Sequence, residues 1–141
     1  MARHGLSSGY SGKPLAEKLG LKKGQRAVFV DVPDDYFALI GRVSKQVMLA
    51  GKSDQDLDFV HIFARTEEDL SRSFDLFKDR IAQNGMIWIS WPKASSKLKS
   101  TLEESTVRAV GLRGGLVDVK ICAIDKDWSG LKFVRRISDR N

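Results

Sequence analysis

Three short apolar runs constrain this chain more than any other feature: Ala27-Val28-Phe29-Val30-Asp31, Phe59-Val60-His61-Ile62-Phe63-Ala64 and Met86-Ile87-Trp88-Ile89-Ser90-Trp91. Each is shorter than an ordinary helix and rich in β-branched and aromatic residues, the pattern of a strand buried on both faces. Between them, apolar residues recur at helical spacing. Tyr36, Phe37, Ile40 and Val43 share one face of a helix opened by Pro33 and Asp34. Leu70, Phe74, Phe77 and Ile81 follow Thr66-Glu67-Glu68-Asp69, a capping box with Asp at the third helical position, and Asn84-Gly85 is placed to end that helix. Strands separated by single helices predict a parallel sheet covered on both faces.

The rest of the chain extends this pattern. Residues 1–12, with Ser7, Ser8, Gly9, Ser11 and Gly12, read as a flexible lead-in, and 13–141 as one domain. Pro14 opens a short helix through Leu15 and Leu19 that Gly20 stops. A weak strand, Val47 to Ala50, stands only about eight residues before Phe59, where a parallel crossover normally takes about a dozen or more. Either one strand–helix unit is missing there or this strand pairs differently. Ser100 and Glu103 form a capping signature for a helix from Thr101 to about Gly111, with Leu102, Ala109 and Val110 as core contacts. Gly114-Gly115 then turns the chain into Leu116 to Ile124, Asp125 to Gly130 makes a hairpin, and Leu131 to Ile137 is the last strand. The expected fold is an α/β three-layer Rossmann-like sandwich: a mostly parallel sheet of about six strands ending in an antiparallel hairpin.

Charge bears on partners. The formal net charge is +6, carried by the two ends and one loop. Residues 1–26 sum to +5, 92–100 to +3 and 126–141 to +3, while 27–91 sum to −4 and 101–125 to −1. No single helix carries a basic stripe, and no RNP, helix-turn-helix or zinc-finger pattern is present, so the excess reads first as solvation. No apolar run is long enough to cross a membrane, and the start of the chain has no signal-peptide core. One cysteine, Cys122, allows no internal disulfide and no cysteine-based zinc site; a reducing cytoplasm is the expected compartment.

In open α/β sheets, ligands sit beyond the carboxyl ends of the strands. The residues projected there are Asp31, Asp34, Asp35 and Tyr36 after the first strong strand, Ala64 and Arg65 after the second, and Trp91, Pro92 and Lys93 after the third. Together they suggest a cleft for a small anionic or aromatic ligand, against the plainer reading in which Asp34 caps a helix and Arg65 and Lys93 are solvated. The loop Pro92 to Ser100, with Lys93, Lys97 and Lys99 ahead of a capped helix, suits a phosphate or a nucleic-acid backbone, or else is a mobile solvated loop. His61 reads as a partly buried histidine with a backbone or helix partner, and Cys122 as an inert thiol. Trp88 reads as core, whereas Trp91 and Trp128 are less constrained. No residue is assigned as catalytic and no metal or cofactor is expected, since a second positioned histidine or cysteine is lacking.

The second half resembles the corresponding half of class I methyltransferases. It has a strand like Asp58 to Phe63, a helix, an apolar strand ending in Pro92, another helix, then a long strand, a turn and a returning strand. A second resemblance spans nearly the whole chain. It rests on Gly9-Tyr10-Ser11-Gly12-Lys13-Pro14-Leu15, Lys18-Leu19-Gly20-Leu21, Ile89-Ser90-Trp91-Pro92-Lys93, Gly115-Leu116-Val117-Asp118-Val119-Lys120 and Trp128-Ser129-Gly130-Leu131-Lys132. By these segments the chain is similar to a family of short, uncharacterised bacterial Rossmann-like proteins, the domain-of-unknown-function family numbered 3052, a likeness that implies a fold and no activity. Methyltransferases place an acidic, glycine-rich loop after the first strand; here Asp31-Val32-Pro33-Asp34-Asp35-Tyr36 has no glycine, and Pro33 removes a backbone donor. The leading reading is therefore a non-catalytic or cofactor-less module that binds a small ligand or a protein partner. One alternative is a diverged S-adenosylmethionine-dependent enzyme using Asp31, Tyr36 and Lys93. The other is nonspecific nucleic-acid binding through Lys93, Lys97, Lys99 and the basic ends.

Overall fold

The computed structural model describes residues 13–140, so the expected lead-in, 1–12, lies outside the described residues. The elements run α1 (Leu15–Leu19), β1 (Arg26–Val30), α2 (Tyr36–Ile40), β2 (Met48–Leu49), β3 (Leu57–Phe63), α3 (Glu67–Phe77), β4 (Ile81–Pro92), α4 (Glu104–Arg113), β5 (Leu116–Ala123) and β6 (Trp128–Arg135). The six strands form one sheet in the order β2-β1-β3-β4-β6-β5. The pairs β2–β1, β1–β3 and β3–β4 are parallel, and β6 runs antiparallel to both its neighbours. The expected mostly parallel sheet with a terminal hairpin is the one observed.

Alternation along the strands builds two cores. Val28, Val60, Ile62, Ile87, Ile89, Leu131 and Phe133 pack against Leu70, Phe74 and Phe77 of α3 and Val107 and Val110 of α4. Ala27, Phe59, Phe63 and Trp88 face the other way, against Leu15 and Leu19 of α1 and Tyr36 and Ile40 of α2. Burying each large side chain contributes roughly 1.5–3 kcal/mol, which is what closes both faces. With only five residues, α1 is too short to persist alone. It is held by Leu15 and Leu19 in the core, by Trp88 Nε1 donating to the Leu19 carbonyl at 2.8 Å, and by Lys120 Nζ donating to the Lys18 carbonyl at 2.8 Å. Gly20 ends it in the left-handed region, φ 79°.

The weak strand is β2, and it pairs parallel to β1 through Arg26–Met48 and Ala27–Leu49. Residues 50–56 then carry the chain across β1 to β3 without a helix. Such a span suffices because β2 is two residues long, so the chain steps back very little. It then crosses two strand spacings of about 4.8 Å with a reach of roughly 23 Å. A strand–helix unit is thus absent between β2 and β3.

Several boundaries differ from expectation. Thr66 does cap α3, accepting the Asp69 amide at 3.1 Å, but the Asp69 carboxylate pairs with Arg72 instead of returning to the cap. That helix ends at Phe77; Ile81 to Gly85 belong to β4, because Leu57 donates to the Arg80 carbonyl and pairs with Ile81. Between the Leu57–Ile81 and Phe59–Met86 pairs β4 bulges outward, and a Cβ on Gly85 would collide with the Leu57 carbonyl oxygen. Glycine there serves a close approach, not a helix end. The Ser100 hydroxyl donates to the Arg65 carbonyl and accepts the Leu102 amide, so α4 starts only at Glu104. Trp128 to Gly130 lie inside β6, and Trp91 and Trp128 are both buried. Phe37, expected on the inner face of α2, is 44% exposed and rests edge-on against Phe29.

α4 packs on the sheet through Gly111, where a Cβ would overlap the Phe133 ring. Gly111→Ala is expected to cost about 1–3 kcal/mol in urea unfolding. Adding Phe133→Leu should recover part of that loss, so that the double variant is less destabilised than the summed singles. Simple additivity would show that α4 does not bear on Phe133.

Candidate functional site

Asp31 follows the last residue of β1 with φ +54°, a left-handed backbone that only short polar side chains and glycine tolerate well. The Tyr36 amide then donates to the Pro33 carbonyl at 3.0 Å, so the chain turns sharply into α2. Across from this turn, the Arg65 carbonyl at the end of β3 accepts the Thr101 amide at 2.9 Å and the Ser100 hydroxyl at 2.9 Å. The third wall is the β5–β6 turn. There Asp125 Oδ1 accepts the amides of Asp127 and Trp128, while Asp127 takes the Lys93 amide on its carbonyl and the Ser96 hydroxyl on its carboxylate. The loop after β4, for which a mobile solvated course was one expectation, is therefore tied at both ends.

These walls enclose an open cleft of about 550 Å³ at the carboxyl ends of β1 and β3. Phe63 and Trp128, in edge contact at 4.9 Å, stand in it beside Leu98. Around them are four carboxylates, Asp31, Asp34, Asp69 and Asp127, against one guanidinium, Arg65. Asp69 is paired with Arg72 and Asp127 holds Ser96, whereas the Asp31 and Asp34 side chains make no hydrogen bond to the described residues. The cleft is thus negative in a chain that is positive overall, and its chemistry suits a ligand with a cationic group and an apolar body. The expected anionic ligand fits it poorly.

Beneath this cleft lies a buried polar chain. His61 receives or gives a hydrogen bond at each ring nitrogen, from Nδ1 to Tyr36 Oη at 2.8 Å and from Nε2 to Ser90 Oγ at 2.8 Å. All three side chains are fully buried, and the His61 ring lies 4.4 Å from that of Phe63. Burial lowers the His61 pKa from 6.5 to about 3 and raises the Tyr36 phenol above its usual range. The imidazole is neutral at pH 7, one nitrogen donating and the other accepting. The order serine–histidine–phenol looks like a catalytic relay, but no opening reaches the Ser90 hydroxyl. His61 is more buried than expected, and its partners are side chains of α2 and β4.

The residues proposed from sequence are dispersed. Asp31 and Arg65 line the cleft together with Asp34 and Ala64. Asp35 is exposed at the start of α2, outside the cleft wall, and neither it nor Asp34 caps that helix with a side-chain hydrogen bond. Tyr36 points down to His61, and Trp91 is buried on the opposite face with the α3–α4 core. Lys93 is half-buried beyond the cleft; Lys97 lines an adjoining shelf of about 390 Å³ with Ser95 and Lys126, which shares Leu98 and Asp127 with the cleft; Lys99 is exposed. No helix N-terminus stands beside these lysines, since α4 begins later and behind Glu103 and Glu104. Sequence reasoning missed Phe63, Asp69, Leu98, Asp127 and Trp128 as cleft residues. The first-turn position of Asp69 was a usable signal; Leu98, Asp127 and Trp128 depend on how the hairpin folds back over the sheet. Burial raises the Cys122 thiol against the opposing pull of Lys18 and Lys120.

The chain from residue 16 to 137 matches the family described as Protein of unknown function (DUF3052). The sequence matches no curated protein. Solved structures with a similar fold include a SAM-dependent methyltransferase from Aquifex aeolicus, with TM-score 0.58, 13% identity and 93% of each chain covered. Another is a TehB-like SAM-dependent methyltransferase from Corynebacterium glutamicum, with TM-score 0.54, 9% identity, and 91% of this chain and 90% of that one covered. At such identities the likeness is one of fold.

The His61 chain has a pH signature. Its folded pKa lies below its unfolded value, so the unfolded state takes up the proton first as pH falls. The stability His61 contributes is complete above about pH 6.5 and is lost toward pH 3, by roughly 1 kcal/mol per pH unit. His61→Gln should flatten the stability slope between pH 6.5 and 4.5, measured by urea unfolding. A slope equal to that of the unsubstituted chain would show that His61 is not held neutral.

Proposed function

The chain belongs to the DUF3052 family of proteins of unknown function, and from that premise we propose that it is a non-catalytic module that binds a small cationic ligand in the cleft over β1 and β3. The observation that carries this reading is the pair Asp31 and Asp34: two carboxylates without hydrogen-bond partners among the described residues, at the mouth of a cavity furnished with Phe63 and Trp128. An ammonium or guanidinium group would neutralise the rim while its apolar portion lies on the rings. No nucleophile–base pair lines the cleft, which supports binding without chemistry.

The methyltransferase reading rests on the shared fold alone. The β1 loop has no glycine to bring main chain against a cofactor, and Pro33 offers no N–H. At the end of β2, where that fold places an acidic residue for a ribose, this chain has Ala50, Gly51 and Lys52. Both departures favour a different ligand.

Thermal melts with tryptamine, spermidine, S-adenosylmethionine and ATP separate the readings. At a ligand concentration ten times a millimolar Kd, stabilisation is about 1.4 kcal/mol, a few degrees for a chain of this size. Tryptamine or spermidine should raise the Tm, and Asp34→Asn should abolish the shift. Asp31→Gly should also abolish it while leaving Tm unchanged or higher, because glycine relieves the left-handed backbone. The absence of any shift with tryptamine and spermidine would refute the cationic ligand, and a response to S-adenosylmethionine alone would favour the enzyme.

A further inference from the structure

The sheet face that carries α1 continues past it onto β6 and β5, and what stands there is basic. Lys120 and Lys132 are direct cross-strand partners, so their side chains leave the same face side by side. Lys120 Nζ reaches the Lys18 carbonyl at 2.8 Å, and Lys18 Nζ reaches the Ala123 carbonyl at 3.1 Å, drawing α1 into the group. Lys132 Nζ lies against the end of α1, 3.9 Å from where a Cβ on Gly20 would be. Lys22, in the turn after α1, is close enough to act with Lys120 in lowering the Lys132 pKa, behind the larger effect of burial. None of the ion pairs among the described residues involves Lys22, Lys120 or Lys132.

The Lys120–Lys132 pair opposes folding, even though Lys120 also ties down the end of α1. Like charges directly opposite on neighbouring strands destabilise a sheet. A lysine on an edge strand discourages edge-to-edge association, which accounts for Lys120 on β5. It does not account for Lys132, because β6 is an inner strand between β4 and β5. We propose that Lys22, Lys120 and Lys132 form a second binding site, separate from the cleft, for a phosphate-bearing ligand. The sheet supplies the floor through Lys120 and Lys132, and the α1 turn supplies the wall through Lys22. Neighbouring ammonium groups acting as point charges match a compact, multiply charged tetrahedral anion, whereas a planar carboxylate is better met by the fork of arginine.

Isothermal titration of the full chain with inorganic pyrophosphate and with a short single-stranded oligonucleotide, at low and moderate salt, tests this. At least one probe should bind, more weakly as salt rises, and Lys22→Gln with Lys132→Gln should weaken it roughly tenfold or more. Pyrophosphate binding alone would identify a small phosphate ligand; oligonucleotide binding would identify a nucleic-acid backbone. Lys97→Gln with Lys99→Gln should leave the affinity unchanged. Lys22→Gln alone, in an exposed turn, gives a folded variant that should still lose affinity, and Lys132→Arg should retain it. The proposal is overturned if neither probe binds, if the Lys97 and Lys99 pair matters equally, or if Lys132→Arg loses as much as Lys132→Gln.

Discussion

The hydrogen-bond chain through His61 is the interaction on which the candidate site depends. Parallel strands in the middle of a sheet leave no solvated face, so an imidazole on β3 must find partners inside or cost several kcal/mol. It finds one on each side: Ser90 on the neighbouring strand and Tyr36 at the first turn of α2. With five residues and no side-chain cap, α2 has little intrinsic stability, and the Tyr36 hydroxyl ties it to the sheet. That tie fixes where the chain re-enters after β1 and hence the course of Asp31 to Asp35. The same imidazole packs against Phe63, and Phe63 against Trp128, so the cleft sits directly on this buried network. Placed in the core, Tyr36 is structural support for the site and not part of its surface.

What was legible in the sequence follows from range. Apolar runs report burial on both faces, and β1, β3 and the second half of β4 were readable on that ground. Gly20 and Thr66 were readable because a helix stop and a helix cap are local chemistry. Ile81 was misread because it continues the spacing of Phe77 by four residues, a period that serves a helix as well as a buried strand start; only the distant partner Leu57 decides between them. Ser100 failed in the same way, since its hydroxyl is engaged by the Arg65 carbonyl, thirty-five residues away in sequence. Of the proposed site residues, Asp31 and Arg65 stand at strand ends and reach the cleft, whereas Tyr36 and Trp91 are large and apolar enough to be taken by a core.

Net charge proved a poor guide to the cleft. The total of +6 read first as solvation and the loop with Lys93, Lys97 and Lys99 suited a phosphate or a nucleic-acid backbone, yet the cavity beside that loop is edged by carboxylates. The positive charge that crowds together does so around the end of α1 and on β5 and β6, joining lysines roughly a hundred residues apart in the chain. Summing charge over contiguous segments cannot reveal such a cluster, because antiparallel pairing and helix docking create it.

Asp31 brings backbone strain into the proposed site. A non-glycine residue in the left-handed region costs of order 1 kcal/mol, less for aspartate than for most, and glycine would adopt the same φ of +54° at no such cost. In the nucleotide-binding version of this fold, glycine fills that loop so that main chain can approach a ligand. Here the loop keeps a tight turn but carries a side chain at its start, with Pro33 two residues on, where main chain can no longer donate. The turn has therefore exchanged a backbone surface for a carboxylate. Under the proposed reading, a loop of this kind offers charge and not a surface shaped for a pyrophosphate or a ribose, and the aromatic pair below it, at 4.9 Å between ring centroids, would hold the apolar part of the ligand. The shared sheet order and the altered loop are compatible because the sheet is fixed by apolar burial, while the loop at its carboxyl edge is free to change its chemistry.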